Sequence, residues 1–218
     1  MYFYGHLVLS LARLNGEGRA DLLGSCFPVG PKHLATALHV VSPNDNGLMA
    51  SFPAISNIAE YQDTSVPGWQ AAPVKIAAVD AIRDICILEA PSDWTFQLQH
   101  AVSGTDFINM GADVHIYGYP HMDFGRRVMT LQRSHIGAKV LIENQGVKVK
   151  HVVINTQLRP GQSGGPVFDA ATGSLCAMVT GAYAPDIQGS VIISGVDPVT
   201  LHQTGHAVSA EYLKEMIP

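Results

Sequence analysis

The chain is poor in charge and in cysteine. Only 14% of its 218 residues are Asp, Glu, Lys or Arg, while 47% are hydrophobic. That balance excludes a disordered chain and leaves enough apolar volume for a core. The formal net charge is −5, with no basic run of the kind that neutralises phosphates, so nucleic acid is not an expected partner. Three cysteines, Cys26, Cys86 and Cys176, are too few for a disulfide framework, and their number is odd. Each lies in an apolar stretch (SCFPV, DICIL, SLCAM), which predicts three small buried side chains. No apolar run approaches the length needed to span a bilayer, so no membrane is expected. The N-terminal MYFYGHLVLSLARLNG carries its first Arg after its apolar run, the reverse of a secretory signal. A cytoplasmic, reducing location is the expectation.

What the chain does have is short apolar runs separated by turn residues. HLVLSLARL, LGSCFPVG, HLATALHVV, VKIAAVD, DICILEA, VHIYGY, KVLIENQGVKVKHVVINT, GGPVFD, SLCAMVTGAY and SVIISGV read as strands. With 21 glycines and 13 prolines supplying turns, the pattern predicts an all-β sandwich or barrel. A single helical turn is expected at HVVSP. A short terminal helix is expected in VSAEYLKEMI, with Ser209 as N-cap and Tyr212, Leu213 and Met216 on one face. The irregular stretch Ala90 to Gly111 is the expected linker between two halves, residues 1–100 and 101–218.

RPGQSGGPVFD, Arg159 to Asp169, carries chemistry. A serine hydroxyl attacks well only when a base removes its proton. The oxyanion that then forms needs donors fixed beforehand. A glycine two residues before Ser163 lets the backbone N–H groups of Gly161 and Ser163 converge, and Gly164 and Gly165 keep the approach free of side chains. A glycine-rich hairpin with an exposed serine has the same composition. His39, delivered by an apolar strand to a loop, is the candidate base, though a lone histidine there is also an ordinary half-buried residue. The orienting carboxylate is expected to be Asp84, at the entrance of ICIL. Asp80 competes and reads as a solvated turn residue.

Three segments resemble the trypsin-like serine peptidases, in particular their HtrA-type bacterial branch: GSCFPVGPKHLATALHVV, VDAIRDICILEAP and LRPGQSGGPVFDAATGSLCAMVTGA. The order His, Asp, Ser distinguishes them from α/β-hydrolases and subtilisins. The resemblance implies two six-stranded antiparallel β-barrels with the active site in the cleft between them, and a short C-terminal helix. It implies a serine endopeptidase acting on a peptide or protein substrate, with catalytic His39, Asp84 and Ser163 and an oxyanion hole at Gly161 and Ser163. A primary pocket would be lined by Gln157, Val179, Thr180, Gly181, Ala182 and His206. Gln157 is no carboxylate, so cleavage after Lys or Arg is not expected. Val179 and Ala182 favour a small or medium apolar residue. His206 either receives an acidic side chain or faces outward as a plain strand residue. Thr180 is implied to lie near Asp84.

Two departures matter. Gln162 stands where classical trypsins carry an aspartate that pairs with a freed N-terminus, so activation by N-terminal insertion is not expected, and a regulatory protein partner or the substrate would order the site instead. The chain also stops at Pro218, so the PDZ domain usual in the branch is expected to be absent, to have been removed or to belong to another chain. No cofactor is expected. Nor is a metal: Gly205 and Pro198 argue against a helix carrying His202 and His206, and the cysteine spacings fit no zinc ribbon. The Arg126–Arg127 pair reads as surface. The alternatives are a catalytically silent peptide-binding module on the same fold and an esterase using the same three residues.

Overall fold

The computed structural model describes residues 3–65, 70–183 and 204–217. The predicted strand SVIISGV and His202 lie outside them. The described residues form thirteen strands, two short α-helices and two single-turn 3-10 helices.

The first half is one sheet. Its strands are β1 (Leu9–Leu14), β2 (Ala20–Pro28), β3 (His33–Ala37), β4 (Leu48–Ser51), β5 (Ala71–Pro73), β6 (Lys75–Asp80) and β7 (Ile85–Glu89), in the order β5-β4-β1-β2-β3-β7-β6. Helix α1 (Leu38–Val41) follows β3 directly, as the single turn expected at HVVSP. The linker stretch contributes no strand beyond an isolated bridge from Val102 to Leu175. The second half is a closed barrel of β8 (Asp113–Gly118), β9 (Thr130–Asn144), β10 (Val147–Ile154), β11 (Pro166–Asp169), β12 (Leu175–Tyr183) and β13 (Thr204–Ser209), with α2 (Glu211–Met216) after it.

Two six-stranded barrels are therefore not what forms: six strands close only in the second half. In the first half the expected strand VKIAAVD forms as β6, and only Val74 separates it from β5, which ends at Pro73. Proline cannot donate to a ladder. The pieces on either side, β5 and β6, lie at opposite edges of the sheet. One residue of chain, not a ladder of hydrogen bonds, joins the two edges.

The sequence pattern explains the layers. In β6 exposed and half-buried residues alternate, with Ile76, Ala78 and Asp80 turned inward. In β7, Ile85 to Leu88 are wholly buried, as a strand covered on both faces requires. Val114, Ile116, Val152, Ile154, Val167 and Cys176 fill the barrel. Tyr117 and Phe168, from barrel strands, instead join the larger cluster that also holds the first sheet. All three cysteines are buried and unpaired, and burial raises each thiol's pKa, that of Cys86 and Cys176 to about 12. The long β9–β10 hairpin turns on Gln145 and Gly146, both at positive φ (51° and 80°), as a two-residue primed turn demands. Ser209 does not cap α2. Ala210 holds the cap position, and the Ser209 hydroxyl accepts the Thr105 N–H at 2.9 Å.

His100, in the linker, packs edge-on against Tyr4 and Phe168 at centroid distances of 5.7 and 5.2 Å. Neither of its buried ring nitrogens has a hydrogen-bond partner among the described residues. Burial lowers its pKa from 6.5 to about 4. Between those values the unfolded chain binds the proton and the folded chain does not, so the contribution of His100 to stability is full above 6.5 and is lost as pH falls toward 4. His100→Phe is expected to flatten this part of the stability-versus-pH curve, measured by urea unfolding. An unchanged slope between pH 6.5 and 4 would show that His100 contributes nothing to it.

Candidate active site

The site forms where the Ser163 loop of the barrel meets β2 and β3 of the sheet. Ser25 is the junction. Its N–H donates to the Ser163 carbonyl at 3.0 Å, and its hydroxyl donates to the Gly161 carbonyl at 2.7 Å. The same hydroxyl accepts the Tyr119 N–H at 3.0 Å, and the Ser25 carbonyl accepts the Thr36 hydroxyl at 2.8 Å. Contact this close needs glycine. A Cβ on Gly164, which has φ +80°, would lie 2.2 Å from the Ser25 carbonyl oxygen and 2.3 Å from Thr36 Oγ1. A Cβ on Gly24 would strike the Val40 side chain at 2.8 Å and the Ser163 carbonyl at 3.0 Å. The residue after His39 and the nucleophile candidate thus flank one glycine.

His39 projects from α1 and Asp84 from the turn between β6 and β7. Nδ1 of His39 lies 2.6 Å from Oδ2 of Asp84, and the His39 backbone N–H donates to Oδ1 at 2.9 Å. The Asp84 carbonyl accepts the Leu38 N–H at 3.1 Å. Both carboxylate oxygens are therefore engaged, and the imidazole is held by the nitrogen that leaves Nε2 outward. The two side chains are 49% and 35% exposed, which puts the pair at the wall of an open cleft. Among the described residues His39 and Ser163 share no hydrogen bond. Such contacts are often loose without substrate.

The turn before Ser163 has Pro160 at its second position and Gly161, φ +95°, at its third, closed by the Gln162 N–H on the Arg159 carbonyl at 3.0 Å. That is the residue pattern of a type II turn. Among the described residues the N–H groups of Gly161 and Ser163 have no hydrogen-bond partner, whereas those of Gln162, Gly164 and Gly165 do. Gln162 is fully buried. Its Oε1 accepts the Arg159 N–H at 2.7 Å and its Nε2 donates to Gln132 Oε1 at 2.6 Å. A neutral amide pair occupies the position where a classical trypsin has a buried ion pair.

The residues expected to line the primary pocket divide. Val179 does not line it: its side chain is buried in the barrel core. Its backbone instead clamps the serine loop, accepting the Gly164 N–H at 2.8 Å and donating to the Gly165 carbonyl at 2.9 Å. Thr180 is skipped by the β12–β13 ladder, and its hydroxyl donates to the His206 carbonyl at 3.3 Å. Thr180, Gly181, His206 and His151 line a cavity of about 410 Å³ together with Asp84 and Ile142. Burial is the main cause that lowers the pKa of both His151 and His206. Gln157 lies apart, its side-chain oxygen accepting from Arg159 at 2.6 Å. Ala182 pairs with Gly205. Among the described residues no cluster of His, Cys, Asp or Glu is placed to hold a metal, and no helix is long and apolar enough to cross a membrane.

Sequence reasoning did not find Ser25, Thr36 or Gln132, and it read Asp80 as solvated. Asp80 is instead bonded to Arg83 at 2.5 Å, its side chain 16% exposed. Its place on the inward rhythm of Ile76 and Ala78 was the available signal, as was a lone Ser in the apolar GSCF.

A sheet and a barrel meeting at a His–Asp pair and a glycine-flanked serine define the serine peptidase class of fold. Residues 24–178 match the family described as trypsin-like peptidase domain, and the chain belongs to that family. No curated protein matches it in sequence. Among solved structures it is similar to the MamO protease domain from Magnetospirillum magneticum, with TM-score 0.68 and 16% identity, covering 97% of this chain and 95% of that one. It is similar to the active form of the Rv3671c protease from M. tuberculosis, with TM-score 0.68 and 20% identity over 97% and 79% of the chains. The HtrA-type protease AlgW with tripeptide gives 0.63 and 17% over 97% and 58%.

Gln132→Ala leaves the buried Gln162 amide without its acceptor. It is expected to cost about 1–3 kcal/mol, the penalty for an unsatisfied buried donor, read from urea unfolding. An unchanged midpoint would mean the amide pair does not hold the turn.

Proposed function

We propose that the chain is a serine endopeptidase. The observation that carries this reading is the pairing of His39 Nδ1 with Asp84 at 2.6 Å, across a glycine-mediated junction from a serine whose own N–H and that of Gly161 are both unengaged. The Ser163 hydroxyl attacks a peptide carbonyl as His39 Nε2 takes its proton. Asp84 holds the Nδ1–H tautomer and stabilises the imidazolium. The N–H groups of Gly161 and Ser163 receive the oxyanion; one such donor is typically worth about 3 kcal/mol of barrier. His39 then protonates the leaving amine, and a water, deprotonated by His39, attacks the acyl-enzyme and releases the acid.

The buried Gln162–Gln132 amide pair supports activity without a freed N-terminus, because the turn is closed locally. The absence of a carboxylate at Gln157 supports a preference against Lys and Arg. A second reading, a silent peptide-binding module, is favoured by the missing His39–Ser163 hydrogen bond.

Labelling by a fluorophosphonate probe separates the two. Wild type is expected to label, Ser163→Ala not at all, and Asp84→Asn about 10³–10⁴-fold more slowly. Undiminished labelling of Ser163→Ala would reject the nucleophile. Peptide binding without labelling or turnover by wild type would favour the silent module.

A further inference from the structure

Asp84 sits in the left-handed backbone region, φ +57°, which Asp adopts more readily than most side-chain-bearing residues. The residues just before it are held from three sides. The Asp80 carboxylate accepts the N–H groups of Ile82 and Arg83, both at 3.0 Å, and closes the turn. Asn144, at the tip of the β9–β10 hairpin, donates to the Ile82 carbonyl at 2.9 Å. The Arg83 guanidinium bonds Asp80 Oδ2 at 2.5 Å and lies 4.4 Å from the ring centre of Tyr212 on α2. Tyr212 is itself fixed, its hydroxyl accepting the Lys150 N–H at 3.1 Å. Burial alone would raise the Asp80 pKa, and its bonds to Arg83 more than reverse this.

These contacts do little as mere glue. Ion pairs that keep a share of solvent contribute little to stability, and Arg83 is 30% exposed. Their leverage lies in where they act: Arg83 directly precedes Asp84, whose carboxylate holds His39. A displacement of 1 Å or so in such a group costs on the order of 10²-fold in rate.

We propose that Arg83 and Tyr212 are positioning residues for Asp84, so that the terminal helix of the second half sets the carboxylate that orients His39. The assignment rests on the peptidase reading. The charged or titratable groups around that carboxylate are His39 on α1, Asp80 and Arg83 in its own turn, Glu143 and His151 on the hairpin strands and His206 on β13. Glu215 on α2 acts on Arg83. Tyr212→Leu changes none of these charges. Arg83→Met removes a cation, so Tyr212→Leu is the variant that separates positioning from charge.

The test compares Tyr212→Leu and Arg83→Met with the conservative Tyr212→Phe and Arg83→Lys. Labelling rate is followed against pH, peptide kcat and KM are measured, and the His39 Nδ1 proton is followed by NMR. Loss of the ring or of the guanidinium is expected to lower kcat about 10- to 100-fold at unchanged KM. The His39 Nδ1 proton is expected to move upfield as its bond to Asp84 loosens. Tyr212→Phe, which keeps the ring face, recovers most of the rate, and Arg83→Lys recovers part. Lower stability with wild-type labelling rate and His39 signals overturns the proposal. Arg83→Met keeps its apolar stem and serves if Tyr212→Leu does not fold. If wild type neither labels nor cleaves, the peptidase reading fails, and the His39 signals alone then decide: a shift in Tyr212→Leu or Arg83→Met supports the positioning role, and none overturns it.

Discussion

Two backbones approach so closely at Ser25 and Gly164 that no side chain fits between them, and the site exists because they do. The hydroxyl, N–H and carbonyl of Ser25 are all used across or beside this seam. Each bond is cut off from water, so leaving one unmade costs the desolvation of its partner. The seam therefore fixes register as well as adhesion. A sheet displaced by one residue would present a side chain to Gly164 and turn its inward face out. Everything carried on the two partners, α1 with His39 on one side and the Ser163 turn on the other, inherits its relative placement from this contact.

Energetically the site divides into a buried half and a wet half. Gly161 and Gln162 of the serine turn are buried, and Gln132 bonds the Gln162 amide from a half-buried position. The His39–Asp84 pair is half in solvent, where Coulombic attraction is weakened by water. What holds the exposed pair is geometry: one carboxylate oxygen takes the imidazole and the other takes the His39 backbone N–H. A carboxylate bonded at both oxygens cannot rotate without losing one partner. This compensates for a low share of burial, and it places the burden of precision on the backbone of Asp84 rather than on packing around the ring.

How much of this was legible from the residues alone follows from range. Local signals were readable. Alternation gave the strands, GQSGG marked the turn, and His39 and Asp84 could be picked by their position at strand ends. Long-range features were not. The break at Pro73 and Val74 looks like an ordinary strand start, and only the pairing of β5 with β4 shows that the first half does not close as six strands. Val179 reads as a pocket residue by its place after the serine, yet it pairs with Ala207 on β13 and its side chain lies in the barrel core. Ser209 has the chemistry of an N-cap, but Thr105, 104 residues away, takes its hydroxyl first. In each case a partner distant in sequence outcompeted the local preference.

The replacement of an ion pair by amides at Gln162 changes what the turn depends on. An aspartate–ammonium pair is present only while the amine is protonated, and it must repay the desolvation of two charges. Two glutamines carry no charge and do not titrate. Their bonds persist over the whole range in which the backbone stays folded. The turn residues act in the same direction, since Pro160 sets its own φ and Gly161 accepts the positive φ without strain. Under the peptidase proposal, a site held in this manner would not rely on a freed N-terminus to assemble its donors. Control would then act on the His39–Asp84 pair, the more solvent-exposed part of the arrangement.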